Sequence, residues 1–468
     1  MTRNLTLTYG VRWERYPFPD KDNTGINRFD PADGNVYTGG LSGVPRDTGA
    51  SSGPGRFLPR VGFAYRLNDK TVIRSGYGIS TDPRPFIDFR NAYPIVNAWA
   101  MPPIVFNGAT NAFIPVTTLR QGLINTSVPP DLTKGILPLP SNTGTTTYPK
   151  DAQRKYIQSW NLTVERKFAG NITVQAGYVG TRAVGQMQVI NINAGAPGTG
   201  NAGRALARFG LTADINEILP YMTATYDALQ TTVKRRFANS TVGLAYTLSK
   251  TINFVDNDGN PRIQYYPDAR QNRGLAGYDR RHNAQAFWVW DLPVGGGQRW
   301  VSQGVVGRLL GGFQLNGLLG VTSGAPFSIT QGNGGNLNAG GSQQVPDQVK
   351  SSVMILDGVG LGKPYFDTSA FAPVNIPADQ PQRFGNVGRN TLIGPGFFNI
   401  DLGLFRTINV TERVKMQLRA EALNALNHPN FANPGADISS AASFGYITQT
   451  NTNAQGSRLW RFAVRFSM

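Results

Sequence analysis

The sequence predicts an all-β protein whose antiparallel strands form an up-and-down barrel across a membrane. Three observations support this fold class. Apolar and polar side chains alternate with period two in twelve segments, a pattern typical of strands with two different faces. The connections between these segments are alternately long and short. No segment reaches the ~18 consecutive apolar residues that a membrane helix needs.

The final segment, "SRLWRFAVRFSM", shows the alternation most clearly. Trp460, Phe462 and Phe466 fall on one side of a strand, and Arg461 and Arg465 fall on the other. A strand in hydrocarbon must pair laterally, because lipid offers its backbone groups no other partner. We therefore expect this strand to stay ordered to its last residues.

The twelve segments and their connections have a regular order. The segments fall at residues 5–13, 61–67, 71–80, 160–164, 172–178, 229–233, 242–248, 284–292, 313–321, 398–404, 414–422 and 460–468. Long connections fall at 16–58, 81–155, 183–226, 251–281, 324–397 and 426–457, and short ones at 68–70, 169–171, 238–240, 293–311 and 409–411. Such sorting is typical of outer-membrane barrels, with long extracellular loops and short periplasmic turns.

In a membrane barrel the apolar positions face lipid and the polar positions face a wet lumen. The polar positions of the eleventh segment are Arg413, Lys415, Gln417, Arg419 and Glu421. They fit either a cross-strand ladder, which we favour, or a substrate path. Leu418→Arg at mid-bilayer is expected to cost ~2–4 kcal/mol, whereas Gln417→Arg is tolerated.

Composition excludes several functional classes. The 468 residues include no cysteine, which excludes disulfides, thiol catalysis and cysteine-based zinc sites. The net charge of +17 comes from scattered basic residues, whose densest clusters are "KRR" at 234–236 and "RR" at 280–281. Without a basic arm we expect no nucleic-acid partner; a solvated face or an anionic membrane surface remain open.

The sequence predicts no catalytic, metal-binding or cofactor-binding residue, so we expect no enzyme. His282 and His428 lie where strands meet long loops, and we expect both to anchor loops. "GLGKP" (360–364) lacks the first glycine and the Ser or Thr of a phosphate loop. "DNDGN" (256–260) lacks the spacing of a calcium loop. Ligand contacts are expected on the long loops, at residues that the sequence does not identify.

Five longer stretches resemble a known family. They are "YDRRHNAQAFWVWDLPVGGG" (278–297), "GGFQLNGLLGVTSGAPFSIT" (311–330), "RFGNVGRNTLIGPGFFNIDLGLFR" (383–406), "VKMQLRAEALNALNHPNF" (414–431) and the terminal "FGYITQT…SRLWRFAVRFSM". Together they resemble the C-terminal barrel portion of TonB-dependent outer-membrane receptors, in the Oar-like group that carries a carboxypeptidase-regulatory-like domain.

This resemblance implies a barrel of about twenty-two strands, filled by an N-terminal plug and energised by TonB through an N-terminal box. It implies uptake of a scarce, bulky nutrient of the siderophore, vitamin or glycan class, in the outer membrane of a Gram-negative-type bacterium. Residues 1–468 then supply about twelve barrel strands, and the plug and N-terminal domains are expected in a longer parent protein. No cofactor is expected.

The expected partners are outer-membrane lipid, lipopolysaccharide, and the barrel assembly machinery, which would read the C-terminal strand. The TonB system would be reached only through the N-terminal part. Two other functions stay open at this point: a passive twelve-stranded porin or translocator, and a secreted all-β binding module. For this chain alone we expect an open arc or a distorted closure of the sheet.

Overall fold

One large antiparallel sheet dominates the computed structural model. The structure describes residues 4–17, 25–81, 92, 104–107, 112–115, 120, 131–152, 156–256, 262–263, 265–295, 300–301, 303–332, 337, 342–452 and 456–467. Twelve of the sheet's fourteen strands follow one another in chain order. They are β1 (Leu5–Glu14), β2 (Arg56–Asn68), β3 (Thr71–Ser80), β4 (Tyr156–Phe168), β5 (Ile172–Asn191), β6 (Ile215–Phe237), β7 (Ser240–Asn253), β8 (His282–Asp291), β9 (Phe313–Thr322), β10 (Phe397–Asn409), β11 (Lys415–Leu423) and β12 (Leu459–Ser467).

The register of the sheet keeps apolar residues beside apolar residues from strand to strand. Leu7 lies opposite Phe63 in β1 and β2, Leu319 opposite Ile400 in β9 and β10, and Ala420 opposite Phe462 in β11 and β12. Because a slip of one residue would turn a whole strand over, this matching fixes the register. All twelve predicted strands and the up-and-down order are confirmed.

The connections follow the predicted alternation, with two differences. The connection between β5 and β6 is shorter than predicted, since both strands continue past the membrane-spanning length and leave only residues 192–214 between them. The connection between β8 and β9 contains a short helix, α1 (Gly304–Leu310). The turns after β2, β4, β6 and β10 are tight.

The long loops contain short elements of their own. The additional strands are Asn27–Asp30, Asn35–Thr38, Ile104–Asn107, Ala112–Pro115, Ile136–Pro138, Thr145–Thr147, Gly274–Leu275, Pro326–Phe327, Asp347–Gln348, Phe371–Ala372 and Leu392–Ile393. The 3-10 turns are Leu132–Lys134, Ala169–Asn171, Ala207–Phe209, Tyr266–Asn272 and Thr368–Ala370. Of these turns, only Ala169–Asn171 lies at the periplasmic end of the sheet.

The hydrophobic core lies mainly in the loops rather than in the large sheet. One cluster joins the loops after β7, β9 and β11, and we call these loops (254–281, 323–396 and 424–458) the C-terminal loop body. Two smaller clusters join the loops after β1, β3 and β5 with the start of β6; we call this region (25–55, 131–152 and 192–217) the N-terminal loop body. The Gly198 N–H donates to the Leu337 carbonyl, so the two bodies touch.

The large sheet is an open arc in the described part of the chain. β1 pairs with β2 alone, and β12 pairs with β11 alone. From the sequence we expected either an open arc or a distorted closure of the sheet, and the described strands form the open arc.

Among the described residues, no helix is long and apolar enough to cross a membrane.

Candidate functional site

The outward face of the sheet is an apolar surface that no other part of the described chain covers. Outward side chains of β1 and β12 are largely exposed, with Tyr9 at 85%, Val11 at 67% and Phe462 at 76%. Leu404 in β10 is 42% exposed and Leu244 in β7 is 45% exposed. An exposed apolar surface of this extent marks an interaction site. Its distribution around the arc fits contact with acyl chains.

Polar residues border this surface at both ends, at a constant separation along the strands. On β6 the outward residues Asp227 and Arg235 are eight positions apart, and on β4 Gln158 and Arg166 are also eight apart. Eight residues span about 27 Å along a strand, or roughly 20 Å across a bilayer at a tilt of ~40°. This height is close to the ~25 Å apolar band of outer-membrane barrels.

The extracellular border carries paired polar groups. Asp227 lies opposite Lys250 in β7, and the Tyr178 hydroxyl donates to Asp227 Oδ1 at 2.5 Å. Tyr246 Oη and His282 Nδ1 share a hydrogen bond of 2.8 Å. These contacts satisfy polar groups at the depth where the apolar band ends.

The inward face is polar and carries a ladder of side-chain contacts. Arg74 pairs with Glu165 at 2.9 Å across β3 and β4. Arg419 Nε donates to Gln417 Oε1 at 2.8 Å, and the Arg419 guanidinium lies 4.9 Å from the ring centre of Phe405. The Arg419–Phe405 contact joins β11 to β10 and fits the ladder interpretation of β11, whereas the Arg419–Gln417 bond lies within β11. Arg413, which the sequence placed in this strand, lies in the turn before it.

Aromatic packing holds the C-terminal loop body together. Phe366 is fully buried and meets Phe371 and Phe444 edge to face, with ring centres 5.9 and 5.5 Å apart. The three rings come from two loops, so these loops cannot move independently without separating them.

A buried arginine links two loops of the same body. Arg389, which is 9% exposed, donates from Nη1 to Asn253 Oδ1 at 2.7 Å and pairs with Asp256 at 2.6 Å. Asp256 also accepts from the Gly277 N–H at 2.8 Å. Burial opposes ionisation of Asp256, but the hydrogen bonds from Arg389 and Gly277 outweigh it and lower the carboxyl pKa. We call these contacts the Arg389 latch.

The N-terminal loop body contains a buried charge cluster. Arg28, 2% exposed, pairs with Asp30 at 3.0 Å, and Lys150 reaches the same carboxylate at 3.1 Å. Glu217 lies in the part of β6 beyond the extracellular border, about 33 Å along the strand from Asp227. Burial raises the pKa of Glu217 to about 7, and Asp30 adds to this effect while Arg28 opposes it.

Both histidines take structural positions, as the sequence predicted. His282 begins β8 and bonds to Tyr246 at the extracellular border. His428 is tied through its backbone: its N–H donates to Asn424 Oδ1 at 2.9 Å, and its carbonyl accepts from Asn424 Nδ2 at 3.0 Å. The His428 ring packs edge to face on Phe398 at 5.2 Å.

Two sequence motifs lack the pattern of a phosphate loop or a calcium loop, and the described residues of these motifs form turns and loop contacts. Residues 360–364 form a turn with Gly360 and Gly362 at positive φ, and the Gly360 N–H donates to the Ile447 carbonyl at 3.0 Å. Residues 257–260 of "DNDGN" lie outside the described residues, as do most of the glycine-rich residues 332–341. Among the described residues, no group of three or more His, Asp or Glu is placed to hold a metal ion.

Comparison with known protein families assigns the chain to one family. Residues 1–462 match the family described as "Outer membrane beta barrel domain". The chain belongs to this family. Its location is therefore the outer membrane, as the sequence predicted. A search of curated proteins found no match.

Solved outer-membrane transporters resemble this barrel in fold alone. The outer membrane transporter YddB from Escherichia coli is 9% identical, with a TM-score of 0.47 over 100% of this chain and 43% of YddB. The FrpB iron transporter from Neisseria meningitidis is 9% identical (TM-score 0.43, 100% and 43%). The siderophore receptor PiuA from Acinetobacter baumannii is 10% identical (TM-score 0.43, 100% and 41%). The barrel thus spans less than half the length of each.

Proposed function

We propose that this chain is the barrel portion of a TonB-dependent receptor of the Oar-like group, which imports a scarce and bulky nutrient of the siderophore, vitamin or glycan class. Membership of the outer-membrane β-barrel family supports this function. The five sequence stretches that resemble these receptors support the finer assignment. Loop bodies with their own hydrophobic cores, at the end of the sheet opposite the tight turns, would give such a receptor a surface for capturing ligand.

The unpaired edges of the sheet carry the proposal. β1 and β12 lie in the apolar band, where an open edge would leave N–H and C=O groups without partners. In a larger barrel these N–H and C=O groups would have partners, because about ten further strands would pair with β1 at one edge and β12 at the other. We infer that those strands, the plug and the TonB box belong to other parts of a longer protein.

The two other functions have less support. A passive twelve-stranded porin would need β1 to pair with β12, and the described sheet contains no such pairing. A secreted binding module would leave outward residues such as Tyr9 and Phe462 in water.

Cysteine cross-linking in the assembled protein tests whether β1 pairs with β12. The sequence has no native cysteine that could form a competing disulfide. Thr8→Cys in β1 is combined in turn with Arg461→Cys, Ala463→Cys and Arg465→Cys in β12. The control pair, Gln417→Cys with Arg465→Cys, joins register partners in β11 and β12. We expect a disulfide in the control alone, whereas a β1–β12 disulfide at any register would establish the twelve-stranded porin.

Uptake by the complete gene product in intact cells tests transport. A ferric siderophore, cobalamin and an oligosaccharide serve as probes, in strains with and without TonB. We expect accumulation of one probe class that disappears without TonB. Accumulation that persists without TonB would contradict the proposal.

A further inference from the structure

The periplasmic border of the lipid-facing surface carries a repeated arrangement of arginine on phenylalanine. The guanidinium carbon of Arg166 lies 5.2 Å from the ring centre of Phe168, two residues along β4. Arg235 lies 5.2 Å from Phe237 in the same way on β6. Arg406 of β10 lies 5.2 Å from Phe313, its register partner on β9. We call these three pairs the arginine border.

All three arginines lie on the outward face, near the periplasmic ends of their strands. Arg166 and Arg235 each precede the following turn by three residues, and Arg406 lies three residues before the end of β10. Arg166 lies opposite Val174, and Arg235 lies opposite Val242, so apolar outward residues flank both. The arginine border therefore lies where acyl chains meet head groups.

Two arginines of this border, Arg166 and Arg235, have no acidic neighbour on the outward face at this end of the described sheet. Across the twelve described strands, the outward positions from the arginine border to the periplasmic turns contain no Asp or Glu. Among the described residues, no ion pair within 4 Å involves Arg166 or Arg235, and both residues are exposed. The extracellular border differs, since Asp227 there lies opposite Lys250.

We propose that the arginine border binds the phosphate groups of phospholipids in the periplasmic leaflet. A guanidinium presents two parallel N–H groups to a phosphate and is weakly hydrated, so it suits the edge of a hydrocarbon layer. A phenylalanine ring against the guanidinium favours one position of the side chain, and exposure of Arg166 and Arg235 makes their N–H groups accessible to a ligand. The inference requires only that the outward face contacts lipid, and it does not depend on the transported nutrient.

Paired triple variants of the complete, folded protein test the proposal. The border variant carries Arg166→Gln, Arg235→Gln and Arg406→Gln. The control carries Lys167→Gln, Arg236→Gln and Lys415→Gln, which remove the same charge from the inward face at the same end. Binding of short-chain phosphatidylglycerol is titrated in neutral detergent by native mass spectrometry, with diacylglycerol and inorganic phosphate as comparison ligands.

We expect the border variant to bind phosphatidylglycerol at least tenfold more weakly, the control to bind like the wild type, and neither comparison ligand to bind measurably. Equal losses in both triple variants, or no loss in the border variant, would overturn the proposal. Retained binding of inorganic phosphate alone would also overturn it. If the triple variant fails to fold, the single variants Arg166→Gln and Arg235→Gln carry the same comparison, with about threefold losses expected.

Discussion

Leu418 and Arg406 face each other across the pairing of β11 with β10, on the outward face of the sheet. Arg406 belongs to the arginine border, and Leu418 lies only three residues from the periplasmic end of β11. We therefore expect Leu418 to lie nearer the periplasmic border than the mid-bilayer position expected from the sequence. Leu402, midway between the outward residues Phe398 and Arg406, is the residue of β10 that we expect at mid-bilayer.

The first prediction concerns this depth. Leu402→Arg is expected to reduce the free energy of folding into vesicles by ~2–4 kcal/mol, because its charge would lie at the bilayer midplane. Leu418→Arg is expected to cost only ~0–1 kcal/mol, because an interfacial arginine reaches head groups. Gln417→Arg, on the inward face, is the control. Denaturant titrations in vesicles measure all three, and equal costs at 402 and 418 would contradict the assigned border.

The second prediction concerns the Arg389 latch. Arg389→Ala is expected to lower the local unfolding free energy of the C-terminal loop body by about 2–3 kcal/mol, because it leaves the buried Asn253 Oδ1 without its donor and removes the cation that pairs with Asp256. Hydrogen exchange at amides of residues 342–396 provides the measurement.

Arg383→Ala is the matched control for the latch. Arg383 lies six residues away and pairs with Asp347 at 2.7 Å, but its side chain is 55% exposed. A surface pair of this kind contributes about 0–1 kcal/mol. If both variants loosened the loops to the same extent, burial would not be the source of the stability of the latch.

The third prediction concerns pH. The pKa of Glu217 is raised from 4.5 to about 7, so its protonated form is favoured in the folded loop body. Its contribution to stability is complete below pH 4.5 and is lost as the pH rises through 7, by about 3 kcal/mol in total. Asp30 has a lowered pKa, so its contribution decreases only in acid below pH 3.8. The interval from pH 5 to 8 therefore isolates Glu217.

Glu217→Gln is expected to remove this dependence and to strengthen the N-terminal loop body at pH 8. Hydrogen exchange of residues 26–38, corrected for the intrinsic effect of pH, reports the opening free energy. The wild type should lose protection between pH 5 and 8 while the variant stays constant. Parallel profiles for the two proteins would show that Glu217 does not titrate in this interval.

The strands and their faces could be predicted because period-two alternation is a local property. In β12, the side of Trp460 and Phe462 follows from their spacing alone. Depth could not be predicted, because it depends on how neighbouring strands are staggered. The pairing of Leu418 with Arg406 is the observation that favours a position near the periplasmic border.

The loop cores could not be predicted because their contacts join distant segments. Phe366 and Phe444 touch across 78 residues, and no local pattern marks either as buried. The Arg389 latch is similar, since Arg389 and Asn253 are 136 residues apart. The arginine border was missed for a different reason: the arginines interrupt the apolar pattern singly, and sequence alone does not show that each lies on a phenylalanine.

The central claim is that alternate side chains of the sheet contact lipid while their neighbours face a watery lumen. Spin labels on single cysteines at positions 415–422 of β11, in vesicles, test it most directly. We predict that labels at 416, 418, 420 and 422 are accessible to oxygen, which dissolves in lipid. Labels at 415, 417, 419 and 421 should instead be accessible to a water-soluble nickel chelate. Loss of this alternation, or shielding of the even positions from both reagents, would contradict the account.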